Sequence, residues 1–381
     1  MSAPVSFPAI SGNAVAIPVR NGDNMDLSAV RRQMLAYLGT LRIPGAPYGH
    51  YRYKPDADAD PKPEPNAADA CAPLPGAPAS TTEQGQKLYA TTDAAILRTV
   101  MGEDLRTSLT PEQRQQWITH INSFARENGS YGPALGGHSE QHSNGMVTGA
   151  LGPLGGQQKF PVRFYGDFDT PEKVAAWLVK IDWSRQWPAS HLFWGGMHCY
   201  SLSRHCTAAW REAVFCWLDA RLDPQTGWWL RGVDHADRNQ PLGGGAHIWP
   251  IYQHHGRRFP YPEKVIDSIL AMQRSDGSWL RFGNYLELDA LYGLALMRSF
   301  APGHRAADVA VAVRLHGDLA LRDYPAFMAR GPDTHSLLAL AGCLGLLQQL
   351  SPGRFYDVPG VRWTDIFSDI RFYNTAGVEC G

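Results

Sequence analysis

The chain has 381 residues, of which 44% are hydrophobic and 19% are charged, so it can bury a large core and is not disordered overall. Its formal net charge is −1 and it has no long Lys or Arg run, so nothing indicates a nucleic acid partner. We find no secretory signal, no apolar run long enough to span a bilayer and no CxxC spacing among the six cysteines, so we expect a cytoplasmic protein with reduced thiols.

Two parts are expected along the chain. Residues 1–83 should form an irregular arm, a first helix over residues 26–42 with Asp26 as its cap, and a loop rich in Pro, Ala and Asp over residues 54–81. Residues 84–381 should form the catalytic domain, because helical periodicity dominates there and strand-like alternation is scarce.

The second part repeats one unit, in which a glycine-aromatic turn separates two helices. The turns contain NGSY from residue 128, PQTGWW from residue 224 and DGSW from residue 276. Thr110 and Pro111 mark a typical helix start ahead of them. A single helix pair cannot bury its own apolar face, so stacking such pairs predicts an all-α fold, an α/α toroid with inner and outer helices.

The repeats resemble those of a known superfamily. ILAMQRSDGSW is similar to the repeat of squalene–hopene cyclases and protein prenyltransferase β subunits, and LYATTDAAILRTVMG and LELDALYGLALM resemble the inner helices that follow it. The resemblance covers about residues 85–350 and implies a terpenoid cyclase-like α/α toroid. Toroids that act on sugars contain the same turn-then-helix unit, so the resemblance implies a fold rather than one activity.

Several motifs of that superfamily are absent. The chain has no DxDD proton donor and no DDxxD diphosphate motif. Cys199 follows His198, but no Asp-x-Cys accompanies them, so the zinc site of prenyltransferases is in doubt. No P-loop, GxGxxG, GxSxG or HExxH motif occurs either.

Polar residues near the predicted starts of inner helices are the candidate site. In a toroid these helix ends open at one mouth, where first-turn side chains can meet. Each residue has an alternative role, because Ser, Asp or Asn can cap a helix and a histidine can lie in the core. The candidates at these positions are His138, His142, Asn144, His191, His198, Tyr200, His247, Tyr252, Tyr285, Glu287, Asp289, Asp333 and His335.

Two further features could contribute to binding. Trp194 lies in an aromatic-rich segment and could stack on a sugar ring or stabilise a carbocation, although such residues also fill cores. Arg238 lies in a loop with Asp234, His235 and Asp237, where it could bind an anionic substrate or simply pair with its acidic neighbours.

These patterns favour an enzyme that uses general acid–base chemistry without a cofactor or a metal ion. A lyase, isomerase or cyclase acting on a small or medium isoprenoid or hydroxylated substrate is our first hypothesis. The second is a sugar-active enzyme, either an unsaturated-uronide hydrolase or a polysaccharide lyase, and the third is a non-catalytic binding toroid. No metal is expected because the histidines come from separate predicted elements without a tight ligand spacing.

The acid–base roles are assigned to Asp289 or Glu287 together with His142 or His198, with Tyr200 as a further catalytic candidate. Positions two apart on a helix point in nearly opposite directions. We therefore expect Asp289 to face the cavity and Glu287 to cap the helix start. Asn144, His138, Trp194, Arg238, His247, Tyr252, Tyr285 and His335 are the substrate-binding candidates.

Overall fold

A computed structural model describes residues 19–55, 79–136, 138–232 and 237–373. Helices make up 61% of it, which confirms the all-α class. The helices, in chain order, are α1 (Leu27–Leu41), α2 (Ala79–Val100), α3 (Leu105–Ser108), α4 (Pro111–Asn122), α5 (Glu140–Leu154), α6 (Pro171–Lys180), α7 (Gln186–Leu192), α8 (Cys199–Ser201), α9 (Ala208–Asp219), α10 (Asn239–His254), α11 (Pro262–Met272), α12 (Tyr285–Phe300), α13 (Ala306–Ala329) and α14 (Thr334–Leu350). Shorter helical turns are the 3-10 turns Arg163–Asp167, Trp183–Arg185 and Ile370–Phe372 and the π-helical turn Phe193–His198.

A small sheet accompanies the helices. Strand β2 (Asn24–Asp26) lies between β1 (Arg20–Asn21), to which it is antiparallel, and β3 (Phe355–Tyr356), to which it is parallel. The sheet therefore joins the start of the described chain to a segment just beyond α14. Because its strands have only two or three residues, the helices supply almost all of the core.

The helix starts follow the capping signals of the sequence. Asp26 accepts hydrogen bonds from the backbone N–H groups of Ser28 and Ala29, so α1 begins where the sequence predicts. Thr110 and Gln113 form a capping box at α4, with Pro111 at the first helical position. Helix α2 crosses the expected boundary at residue 83, and most of the Pro/Ala-rich segment lies outside the described residues.

The DGSW turn is fastened to the helix that follows it. The Glu287 carboxylate accepts hydrogen bonds from the backbone N–H groups of Trp279 and Leu280, at 2.7 to 3.1 Å. The Trp279 indole donates to the Ile269 carbonyl on α11. Gly277 has a φ of 93°, and a Cβ there would lie 2.4 Å from the Leu315 carbonyl oxygen. The turn therefore holds α11, α12 and α13 in place.

Helix packing follows a regular order. Helix α2 packs against α5 and α14, and α12 packs against both α14 and α10. Helix α10 packs against α7, and the π-helical turn beyond α7 packs against α5. Helices α4, α11 and α13 are not part of this order but contact its helices. Helix α4 packs against α5, and α11 packs against α12. As a result, the first turns of α5, α12 and α14 lie close to one another, at one cavity.

We predict that Glu287→Gln destabilises the fold by about 1–3 kcal/mol, because it removes a charged acceptor from the N–H groups of a buried turn. The free energy of unfolding, measured by urea denaturation, checks this. Glu263→Gln is the matched control: its carboxylate is partly exposed, 3.9 Å from Arg258, and the change should cost less than about 0.5 kcal/mol. Equal losses in the two variants would contradict the role of Glu287.

Candidate active site

A cavity of about 360 Å³ is lined by five histidines. These histidines are His138, His142, His191, His247 and His335. His138 is half-buried and the other four are buried. Trp187 and Tyr285 add aromatic faces to the wall, and Gln86, Asn284 and Ser336 add uncharged polar groups. Such a mixture of aromatic and convergent polar groups is typical of a small-molecule site.

Local structure explains how each ring reaches the cavity. Ser139 caps α5 by accepting from the His142 N–H, so His142 lies in the first turn and His138 just before the helix. His335 holds the equivalent place on α14, which Asp333 caps. His191 and His247 come from α7 and α10, two helices that pack directly against each other.

The rings contact one another. The His138 and His191 rings stack with centroids 4.8 Å apart and planes 12° apart. The His142 ring lies 4.4 Å from His138 and 4.7 Å from His191, again between centroids. His247 extends the group, 5.1 Å from His191. One compact cluster, which we call the histidine cluster (His138, His142, His191, His247), therefore forms one side of the cavity.

Close helix packing makes this cluster possible. A Cβ at Gly195 in the π-helical turn would lie only 1.6 Å from the Gln141 carbonyl oxygen, so the two segments can approach only because residue 195 has no side chain. The approach places Trp194 beside His142, with ring centroids 5.1 Å apart. The Trp194 indole N–H donates to the Tyr373 hydroxyl.

Hydrogen bonds fix three of the rings through their Nδ1 atoms. His142 Nδ1 and the Tyr89 hydroxyl share a hydrogen bond of 2.7 Å. His138 Nδ1 lies 3.3 Å from the Gly136 carbonyl oxygen, which can only accept. His247 Nδ1 lies 2.8 Å from Ser190 Oγ. The Ser190 hydroxyl itself donates to the Trp187 carbonyl, so it orients His247 and does not present an activated nucleophile.

His335 differs from the cluster because a carboxylate holds it. Its Nδ1 lies 3.1 Å from Asp93 Oδ1 and 3.4 Å from the Tyr285 hydroxyl. Asp93 is completely buried and accepts a second hydrogen bond, 2.9 Å long, from the Thr334 hydroxyl. Burial raises the pKa of the Asp93 carboxyl, an effect that His335 and Thr334 oppose. Within the described residues, His335 Nε2 has no hydrogen-bond partner.

Burial also keeps the histidine cluster uncharged. It lowers the pKa values of His138 and His247 to about 3, and the neighbouring His335 lowers them further. The pKa values of His142 and His191 lie well below their ordinary value, because of burial first and the surrounding histidines second. Each ring therefore has one nitrogen lone pair at neutral pH, which can accept a proton or bind a cation.

Three of these rings could hold a metal ion. One ring nitrogen from each of His138, His142 and His191 lies within 4.8 Å of the others. The sequence-based expectation of no metal relied on the separation of these histidines among different elements. The fold brings these three rings together, and the expectation that no metal binds stays a prediction.

Several predicted site residues lie away from this cavity. Asn144 donates to the Gly195 carbonyl and accepts from Gln158, so its amide joins α5 to its neighbours. Tyr200 donates to the Asp169 carbonyl, and Tyr252 donates to the Asp219 carboxylate. These three side chains do not line the cavity, and their polar groups hold secondary-structure elements together.

His198 and Arg238 are also outside the cavity. His198 Nε2 lies 3.0 Å from His254 Nδ1, and its Nδ1 lies 3.2 Å from Ser201 Oγ, in a second histidine group in which His198 is buried and His254 half-buried. Arg238 is exposed just before α10. Of its predicted loop, residues 233–236 lie outside the described residues.

Neither Glu287 nor Asp289, the two carboxylates predicted to act as acid or base, lines the cavity. Glu287 holds the DGSW turn, as described above, and its Oε2 lies 3.3 Å from His316 Nδ1. Asp289 is buried on α12, and neither of its oxygens has a hydrogen-bond partner among the described residues. Burial, followed by the charge of Glu287, raises the pKa of Asp289 well above its usual range. The catalytic roles given to these two residues remain untested predictions.

Sequence reasoning missed Asp93 and Tyr89, both on α2. The segment LYATTDAAIL contains both, but its helical pattern looks like an ordinary buried helix, and nothing local marks the partners on α5 and α14. The four-residue spacing between His138 and His142 was a usable signal, because it places two imidazoles on either side of one helix start.

A second cavity, of about 510 Å³, lies near the opposite end of α5. Gly152 and Pro153 line it together with charged side chains that already have partners, such as Glu103 with Arg98 and Arg371 with Asp369. It contains no histidine, and its charged groups are committed to structural pairs. We therefore place the candidate active site in the smaller cavity.

The chain matches no protein-family model, no curated protein and no solved structure. The resemblance to terpenoid cyclases and prenyltransferases is therefore still a prediction. Among the described helices, none combines the length and apolar character that crossing a membrane requires.

The raised pKa of Asp289 predicts a pH-dependent effect on stability. Between the unfolded pKa of about 3.9 and the higher folded pKa, the unfolded chain releases a proton that the native state keeps, so this residue makes the protein less stable as pH rises. Asn does not titrate. The stability of Asp289→Asn relative to wild type should thus increase from about pH 4 to about pH 8, as measured by urea denaturation. A constant difference would contradict the buried, protonated carboxyl.

Proposed function

We propose that this protein is an enzyme that performs general acid–base chemistry on a small hydroxylated molecule in the histidine-lined cavity. A lyase or isomerase is the reaction class we favour. The observation that carries the proposal is the hydrogen bond of 3.1 Å between Asp93 and His335 at the cavity wall. A histidine oriented by a buried carboxylate is a recurrent general base.

The roles in this proposal follow from the hydrogen bonds. If His335 Nδ1 donates to Asp93, the lone pair of the ring lies on Nε2, which can take a proton from the substrate. The buried Asp93 carboxylate then stabilises the imidazolium that forms. Tyr285, which lines the same cavity and whose hydroxyl lies 3.4 Å from His335 Nδ1, would return a proton to the product; His335 would then release its proton to solvent and Tyr285 would regain one from solvent. Of the sequence-based candidates, His335 and Tyr285 thus replace Asp289 and Glu287 in the acid–base roles.

The cavity wall supports a hydroxylated substrate over a hydrocarbon one. Gln86, Asn284 and Ser336 provide hydrogen-bonding groups, and Asp333 lies at the same wall. Asn284 and Ser336 use only part of their hydrogen-bonding capacity, on the Leu286 N–H and the Asp333 carboxylate, and an isoprenoid chain could not use the remainder. A sugar-active enzyme is the second candidate, since Trp187 adds a flat aromatic face of the kind that stacks on sugar rings.

The packing order of the helices supports an α/α toroid as the framework of this site. From α2 the contacts lead to α14, α12, α10, α7 and, through the π-helical turn, to α5, which returns to α2. A closed order of this kind is what an inner layer of helices would produce. The meeting of the first turns of α5, α12 and α14 at one cavity agrees with it.

Solvent exchange tests the function across several classes of compound at once. The full-length protein is incubated in D₂O with a panel of monosaccharides, uronic acids, hydroxy acids and isoprenoid alcohols, and mass spectrometry follows deuterium uptake and loss of water. We predict that wild type exchanges or converts a hydroxylated compound. Asp93→Asn and His335→Gln should each reduce that rate by roughly 10²–10⁴-fold.

The control is His304→Gln, because His304 is a partly exposed histidine that also pairs with an aspartate, Asp267, away from the cavity. It should retain the wild-type rate. Wild-type activity in both dyad variants would contradict the proposed base. Binding of a panel compound without exchange or conversion would instead support the non-catalytic alternative.

A further inference from the structure

We propose that His138, His142 and His191 bind one divalent transition-metal ion, of which zinc is the representative, with one coordination position open to the cavity. This inference goes beyond the acid–base function. It adds a Lewis acid, which would polarise a substrate oxygen or a bound water, beside the His335 base.

The first argument is the position of the donor atoms. One nitrogen from each ring lies within 4.8 Å of the other two. With Zn–N distances of about 2.0–2.1 Å, tetrahedral ligands lie roughly 3.3 Å apart. Side-chain rotations that bring the nitrogens up to about 1.5 Å closer to one another would therefore complete the coordination. All three rings line the cavity, so the ion would lie at its wall.

The second argument is the orientation of the rings. In metal sites, a ligating histidine usually donates its other ring N–H to a carbonyl or another oxygen. His138 Nδ1 faces the Gly136 carbonyl, and His142 Nδ1 faces the Tyr89 hydroxyl. Both rings are thus held with Nε2 available as the ligand. Oxygen partners of this kind are expected around a metal site.

The third argument concerns His191. Its side chain is buried and lines the cavity, yet no described residue hydrogen-bonds to its ring. Its ring nitrogens are therefore left to a ligand in the cavity, and a metal ion would use one of them. The second histidine group differs on this point: His198 has partners on both nitrogens, and His254 Nε2 lies 3.1 Å from the Ser368 carbonyl. That group has no equivalent open nitrogen on His198.

The type of ion follows from the type of ligand. All three donors are imidazoles. Asp333, a carboxylate that lines the cavity, is engaged by Ser336, and Asp93, behind His335, is engaged by His335 and Thr334. Imidazole suits Zn²⁺, Co²⁺, Ni²⁺ and Cu²⁺, whereas Mg²⁺ and Ca²⁺ need oxygen ligands. Three protein ligands with a fourth position open are typical of a catalytic rather than a structural metal site.

The test uses the full-length protein without a histidine tag, after removal of metals with a chelator. Titration with Zn²⁺ by calorimetry should give one equivalent of tight binding, and Co²⁺ should give visible absorption bands of a low-coordinate site. His142→Asn and His191→Asn should each weaken binding by about 100-fold or more, because loss of even an outer-shell partner costs 10–100-fold. Mg²⁺ should not compete.

Two variants are matched controls. His304→Asn changes a partly exposed ring away from the cavity, and His255→Asn changes a ring that contacts Ser201, beside His198; both should bind Zn²⁺ with wild-type affinity. Should a triad variant fail to fold, side-chain NMR of wild type replaces it, and Zn²⁺ should shift one nitrogen resonance from each of three histidines. No stoichiometric Zn²⁺ binding by wild type, or unchanged binding in the folded triad variants, would overturn the proposal. No substrate is involved, so this result is separate from the test of His335 and Asp93.

Discussion

The burial of several imidazole rings in one small cavity is the constraint on which the rest of the site depends. A charged imidazolium without a partner is costly in such a place, so four of the rings remain uncharged and keep a lone pair at neutral pH. Among the histidines of this cavity, only His335 has a carboxylate partner within the described residues, and that partner is Asp93. One cavity thus contains two kinds of histidine: a cluster suited to bind a cation and one ring suited to take a proton.

The fold produces this arrangement through its turns and close crossings. Glu287 and Trp279 fix the start of α12 near the cavity, and the missing side chain at Gly195 lets the π-helical turn reach α5. Neither feature carries out chemistry. Each restricts the motion of a segment that carries a side-chain ring of the cavity. Both metal binding and proton transfer require the side chains that touch the ion or the substrate to be held in fixed positions.

The sequence was sufficient for the local structure and for part of the site. Capping signals located the starts of α1 and α4, and polar helix starts pointed to His142, Tyr285 and His335. It was insufficient where a role depends on contacts between distant segments. Asp93 and His335 are 242 positions apart, and nothing local distinguishes Asp93 from other aspartates. Helical periodicity alone also could not show that Glu287 serves a turn, because hydrogen bonds to a preceding loop leave no repeat in the sequence.

The central claim is that the buried rings of the histidine cluster share one cavity in the uncharged state. Its most direct test is a pH titration of the histidine side chains by NMR, on full-length protein freed of metal, with single His→Asn variants to assign the signals. The account predicts that the pKa values of His142 and His191 lie well below the ordinary histidine value in the folded protein, and that those of His138 and His247 lie at about 3. Protonation of these rings near the ordinary histidine pKa of about 6.5 would contradict it, since that would mean that water reaches each ring separately.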